Sequence, residues 1–289
     1  MTAGATQERV RPGPPSCAGA MKSDAIITSA ANPRIKDLAR LRAHRGKHSG
    51  DLVLVDGPRE IDRAVGADVE LVEAYYCPAA LKPETKAALE RCRGRGAKCI
   101  EVAPHVLEKF SYGDRRDGLV VTAARPRRRL ADLRITPTSL IAVIEAVEKP
   151  GNLGAILRSA DGAGVDAIIV ADPATDVFSP NVIRASTGIV FSLPVFEAAG
   201  ADVLTLLRSQ GVQIVAAAPD ADTLYTDIDY RKPTAVVLGS EAKGLSTIWR
   251  DSGASTAKIP MMGKADSLNV GTTAALFFYE ARRQRGAVS

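Results

Sequence analysis

From residue 138 onward the chain alternates short apolar runs with longer polar, helix-like stretches. Leu140 to Ile144, Ala167 to Ala171, Val212 to Ala217 and Ala235 to Leu238 are nearly unbroken runs of Val, Ile, Leu and Ala. Strands buried on both faces have this pattern, whereas strands with one wet face alternate. The pattern predicts strands over 140–145, 166–171, 193–196, 212–217, 234–239 and 255–259. Helices are predicted over 152–163, 180–187, 201–209, 245–251 and from about 268 to 284. Helical crossovers between such strands call for a parallel sheet covered on both sides. A weaker alternation precedes this one, with strands over 51–55, 71–77, 98–102 and 119–123 and helices over 57–65, 83–93 and 104–109. It reads as a second, smaller α/β unit.

Ahead of that unit, Ile35, Leu38, Ala39 and Leu41 recur at helical spacing among Arg34, Lys36, Arg40, Arg42, Arg45 and Lys47. One face of this helix packs, and the charged face is either solvated or touches phosphate. The turn from Ser111 to Gly118 carries Arg115 and Arg116, open to the same two readings. Arg125, Pro126, Arg127, Arg128 and Arg129 have no apolar face and mark a linker, either a solubilising hinge or an added phosphate contact. Residues 1–23 hold no apolar run and read as a disordered leader rather than a signal peptide. The expected division is therefore 1–23 leader, 24–123 first domain, 124–137 basic linker and 138–289 second domain.

Composition refines this picture. The 289 residues are 46% hydrophobic but only 4% aromatic, so the core is built from Val, Ile, Leu and Ala. No stretch offers the roughly 20 apolar residues of a membrane span, so a cytoplasmic protein without a membrane partner is expected. The net charge of +5 suits an acidic partner such as RNA or DNA without requiring one. Cys17, Cys77, Cys92 and Cys99 show neither a C-x-x-C pair nor zinc spacing, which favours reduced thiols. His44 and His48 stand four apart, but Gly46 and flanking cations argue against a metal there.

Ligands of parallel sheets gather outside the carboxyl ends of the strands. The polar turns predicted there are at Asn152, at Ala217 to Pro219, at Gly239 to Glu241 and at Pro260 to Met262. The chain lacks G-x-G-x-x-G after its first parallel strand, a P-loop, a G-x-S-x-G elbow and H-E-x-x-H. None of its three histidines lies in the second half, which excludes a Ser-His triad there. What remains is one Arg, one Glu, several Asn and Ser, and backbone amides. Such a set orients a polar ligand and stabilises an oxyanion but supplies no strong base near neutral pH. A hydroxyl attacking an intrinsically reactive electrophile fits, and methyl transfer from a sulfonium to a ribose is one example among others.

Three motifs narrow the choice. Asn152-x-Gly154-x-x-x-Arg158, Leu238-Gly239-Ser240-Glu241-x-x-Gly244-Leu245, and Ile259-Pro260-Met261 followed by Ser267-Leu268-Asn269-Val270 resemble the motifs of the SpoU/TrmH branch of the SPOUT methyltransferases. The likeness covers roughly residues 138 to 285. More weakly, residues 24 to 123, with Asp56-Gly57 and the turn from Phe110 to Gly118, resemble the ribosomal-protein-like RNA-binding domain fused to many members. The resemblance implies a trefoil-knotted parallel-sheet domain, S-adenosylmethionine as cofactor, and a homodimer whose sites are completed across the subunit contact. It implies 2′-O-ribose methylation of RNA, foremost 23S ribosomal RNA, as in actinobacterial members that confer antibiotic resistance. A tRNA substrate, or a non-catalytic RNA-binding protein retaining the knot, are the alternatives.

Carried over residue by residue, Ala217, Leu238, Gly239, Ile259, Met261 and Leu268 would hold the cofactor. Arg158, Asn152, Glu241, Asn269 and Ser267 would form the catalytic set. Arg158 would stabilise the developing alkoxide or grip phosphate, since a guanidinium is a poor base. Its alternative is a salt bridge near the helix start; Asn152 would cap the helix as well as position substrate, and both roles can hold together. Arg184, in the run Asn181 to Gly188, matches a position from which the partner subunit contacts RNA or cofactor. Arg40, Arg115 and Arg116 would touch substrate RNA.

Overall fold

The computed structural model describes residues 26–43, 50–113, 117–240 and 243–286. The leader 1–23, His44, His48, Arg115, Arg116 and Glu241 lie outside the described residues.

The first domain contains α1 (Pro33–Ala43), β1 (Leu52–Asp56), α2 (Pro58–Gly66), β2 (Leu71–Tyr76), α3 (Pro83–Gly94), β3 (Lys98–Glu101), α4 (Pro104–Leu107) and β4 (Leu119–Ala124). Its sheet runs β1-β4-β2-β3, with β4 antiparallel to both neighbours and β3 parallel to β2. Proline stands in the first turn of α2, α3 and α4, where its fixed φ suits the helix and its missing N–H costs nothing.

The second domain comprises β5 (Leu140–Glu145), α5 (Pro150–Ala163), β6 (Ala167–Ala171), α6 (Pro180–Ala185), α7 (Ile189–Ser192), β7 (Val195–Ala198), α8 (Gly200–Ser209), β8 (Gln213–Ala217), β9 (Thr234–Leu238), α9 (Thr247–Arg250), β10 (Ser255–Ala257) and α10 (Val270–Gln284). All six strands are parallel, in the order β10-β8-β9-β5-β6-β7. Every residue of β5, β6 and β9 is buried, so these strands lie under helices on both faces. After β10, at one edge, the chain returns to α10, which packs on α5.

Two expectations need correction. The helix predicted over 180–187 stops at Ala185, because Thr187 and Gly188 take left-handed conformations (φ 53° and 83°) before α7 begins. The linker is not a solvated hinge. Arg125 is buried and bonds Asp176 at 2.7 Å and Glu197 at 3.1 Å, while Arg128 donates to the Leu193 carbonyl. Leu130, Leu133 and Ile135 pack on the core of the second domain. The linker is a strap laid along the parallel sheet.

The two domains share one hydrophobic cluster. Val53, Val55 and Ile61 from the first join Phe178, Val182, Ile189 and Phe191 from the second. Docking focuses on the left-handed corner, where Arg63 donates to the carbonyl and hydroxyl of Thr187. A Cβ at Gly188 would lie 3.0 Å from the Cα of Glu60, so only glycine admits α2 this closely.

Candidate active site

A cavity of about 640 Å³ opens at the carboxyl ends of β8, β9 and β10. All four predicted polar turns contribute to it: Asn152, Ala217 to Pro219, Gly239 and Ser240, and Met261. Of the expected cofactor residues, Ala217, Leu238, Gly239, Ile259, Met261 and Leu268 each line the wall. Ser267 and Asn269 of the expected catalytic set line it as well.

Local chemistry explains each turn. After β9, Ser240 and Gly244 exchange backbone hydrogen bonds of 3.1 and 2.9 Å, and the Ser240 hydroxyl accepts from the Lys243 amide. Gly239 and Gly244 are thereby held so close that a Cβ at Gly239 would sit 2.3 Å from the carbonyl carbon of Gly244. Gly244 itself has φ 64°, the left-handed region that favours glycine. Glu145, buried at the end of β5, anchors the far side of this loop. Its carboxylate accepts from the Ser246 amide at 2.8 Å and from the Ser246 hydroxyl at 2.5 Å.

Asn269 caps α10 by accepting from the Gly271 amide at 2.9 Å, and its own amide donates to Asn152 Oδ1 at 3.1 Å. Asn152 is not a cap. The helix starts earlier, at Pro150, so Asn152 lies in its first turn and ties the first motif to the third. Gly154 serves the crossing of α5 and α6, where a Cβ would stand 2.3 Å from that of Ala185.

Charged groups at the rim were not singled out by the motifs: Lys149, Lys258, Asp266 and the pair Arg250–Asp220 at 3.1 Å. Glu145 could have been suspected, since an acid ending an unbroken apolar run needs a partner. The wall contains no His or Cys among the described residues. Its chemistry is binding and orientation. The backbone groups of Gly239, Ile259 and Leu268 make no hydrogen bond with other described residues and are open to a ligand.

Other expected residues are not brought to this cavity by the single chain. Arg158 stands six residues beyond Asn152, about 9 Å along the helix axis. It is exposed, does not line the cavity, and its guanidinium has no hydrogen bond or ion pair among the described residues. Arg40 is exposed and pairs with Asp37 at 3.0 Å. Arg184 faces the first domain of its own chain, with its guanidinium carbon 4.0 Å from the ring centroid of Tyr112. Arg42 lies 4.4 Å from the same centroid, and Asp56 accepts the Tyr112 amide at 2.5 Å. Burial pushes the Asp56 carboxyl up to about 6, against the Tyr112 amide, Arg42 and Arg184, which pull it down.

The SpoU rRNA Methylase family matches residues 139–279, and an MRM3-like substrate binding domain matches residues 32–121. The 23S rRNA (uridine(2479)-2'-O)-methyltransferase of Streptomyces viridochromogenes is 33% identical over 270 residues, spanning 90% of this chain and 92% of that protein. A solved RNA 2'-O ribose methyltransferase superposes with a TM-score of 0.78 at 43% identity, over 90% of this chain and 99% of that one. The SpoU methyltransferase AviRb from Streptomyces viridochromogenes, solved in complex with AdoMet, gives 0.79 at 30% identity, over 88% and 99%.

Proposed function

The chain belongs to the SpoU rRNA methylase family, and from that premise we propose that it methylates a ribose 2′-hydroxyl of 23S ribosomal RNA. It is an S-adenosylmethionine-dependent RNA methyltransferase. The observation that carries the proposal is the convergence of residues from three separate motifs on one cavity, joined by the Asn269–Asn152 hydrogen bond. A substrate-binding domain ahead of the methylase supports a large ribosomal substrate over tRNA. No helix among the described residues is long and apolar enough to cross a membrane, and we place the enzyme in the cytoplasm with rRNA.

The cavity suits the cofactor. Its volume falls in the range of about 300–1,000 Å³ usual for small-molecule sites. Leu238, Ile259, Leu268 and Phe277 offer apolar wall, and the open backbone groups of Gly239, Ile259 and Leu268 offer donors and acceptors for a purine edge or a carboxylate. When bound there, S-adenosylmethionine supplies a methyl group made electrophilic by its sulfonium. The chain's task is to exclude water from that methyl and to orient the ribose. Asn152 and Asn269 fix the side of the cavity nearest α5. The segment from 258 to 269, crossing from β10 to α10, is the part we read as passing through the trefoil knot.

Arg158 is proposed to act across a homodimer contact. Its exposure, and the absence of any side-chain partner among the described residues, suit a residue completed by a second subunit. A guanidinium remains charged at working pH, so it stabilises negative charge on the ribose oxygen while the proton leaves to solvent. Arg158→Ala should lower methyl incorporation into 23S rRNA by about 10²-fold or more, with an unchanged melting temperature. Mixing Arg158→Ala with Asn269→Ala subunits should restore part of the activity, because one site of each mixed dimer then has an intact cavity and an intact Arg158. Full activity in Arg158→Ala, or no recovery on mixing, would remove this mechanism. Primer-extension mapping of the methylated nucleotide, with drug sensitivity of an expressing strain, tests the 23S target and a resistance role together.

A further inference from the structure

Outside the cavity, the described residues place two arginines from different domains on one aromatic ring. Arg42 comes from the last turns of α1, Arg184 from α6, and both guanidinium carbons lie within 4.4 Å of the Tyr112 centroid. We infer that Arg42, Tyr112 and Arg184 form a receptor, shared by the two domains, for a backbone phosphate of the RNA substrate. The inference rests on the RNA-methylating reading and adds where the strand crosses from one domain to the other.

A guanidinium stacked on a ring uses its face and keeps its N–H edges free for a forked acceptor. Neither guanidinium has a hydrogen bond or ion pair with any described residue, although both arginines are half-buried. Contacts that merely join the domains look different here: Arg125 is matched by Asp176 and Glu197, and Arg63 by Thr187. Two cations gathered without partners repel each other, and the arrangement is compensated only in part by Asp56. That carboxylate holds Tyr112 through its backbone amide at 2.5 Å, which fixes the ring both arginines meet. One negative charge against two positive ones leaves a net cation with open donors, which matches a phosphodiester in charge and in hydrogen bonding.

Position gives the site its purpose. Arg184 precedes Ala185, the residue on which Gly154 of α5 packs, and α5 also carries Asn152 and Arg158. A phosphate held at Arg184 is thus gripped on the element next to the catalytic helix. Held at Arg42 as well, it sets the strand's path across the domain junction.

The test is the salt dependence of binding to in-vitro-transcribed 23S rRNA. For Arg42→Gln/Arg184→Gln, the slope of log affinity against log salt should become shallower by about 1. Affinity at physiological salt should fall about tenfold, with S-adenosylmethionine binding by calorimetry unchanged. The pair Arg42→Lys/Arg184→Lys, which keeps both charges, should restore the slope. Asp56→Asn, which withdraws the internal counter-charge, should tighten RNA binding severalfold, a sign that a purely structural role would not give. Wild-type binding with an unaltered slope in the double Gln variant, or weaker binding in Asp56→Asn, would overturn the receptor alone. A wild-type protein that does not bind RNA would overturn it together with the reading it rests on.

Discussion

Asp56 shows how a single residue couples electrostatics to stability. Burial raises its carboxyl from the ordinary 3.8 to about 6, more than the Tyr112 amide and the two arginines can offset. Between those two values the folded chain holds a proton that the unfolded chain has released. The contribution is therefore fully present below about pH 4 and is lost as pH rises through 6. Asn at this position keeps an acceptor for the Tyr112 amide but never ionises. Asp56→Asn should thus be more stable than the parent at pH 8, by up to about 3 kcal/mol, and the gain should shrink toward pH 4. Paired melting curves across that range check this, and a gain independent of pH would contradict it. In the sequence Asp56 stood out only beside Gly57. Its partner Tyr112 is 56 positions away, and no periodicity links two such residues.

At the scale of elements, the positions of helices and strands were largely legible, because fully apolar runs and prolines in first turns announce them directly. The break between α6 and α7 was not. Thr187 adopts φ 53° without being glycine. Its amide donates to the Arg184 carbonyl within the segment, but its own carbonyl and hydroxyl are taken by Arg63 from the other domain, and that part of the corner lies outside the segment. The motif glycines show a related divide: their spacing marked them, while their reason emerges only from what crosses them. A Cβ at Gly154 would stand 2.3 Å from the Cβ of Ala185, 2.6 Å from its carbonyl carbon and 2.8 Å from the Ser186 amide. Most of these atoms are backbone and cannot swing aside. In an ordinary helix, Gly→Ala gains up to about 1 kcal/mol. Here overpacking reverses the sign, at a cost of roughly 1–3 kcal/mol or more, and Gly154→Ala should lower Tm by about 3–10 °C. A rise in Tm would show that α5 and α6 separate freely.

For the whole molecule, the question is whether two domains act as one body. Composition suggested a hinge, since five residues from Arg125 to Arg129 include four arginines and no apolar position. The acids that answer Arg125 lie 51 and 72 residues downstream, so the sequence could not reveal that the charge would be buried. Arg125 and Asp176 are each under a tenth exposed, and Arg125 also lies 5.2 Å from the ring of Phe178. Phe178 belongs to the cluster that holds Val53 and Val55, so the ion pair and the shared core close the same seam. Removing one member of such a pair leaves a buried charge unanswered, at a cost of about 3–5 kcal/mol. Arg125→Ala should therefore lower Tm and split one calorimetric transition into two, as the first domain loosens from the second. Arg129→Ala, which breaks the exposed pair with Asp132, should leave the trace unchanged. A single unshifted transition in Arg125→Ala would mean that the shared apolar seam alone holds the domains, and the strap could then be cut without loss of the alignment on which the phosphate receptor depends.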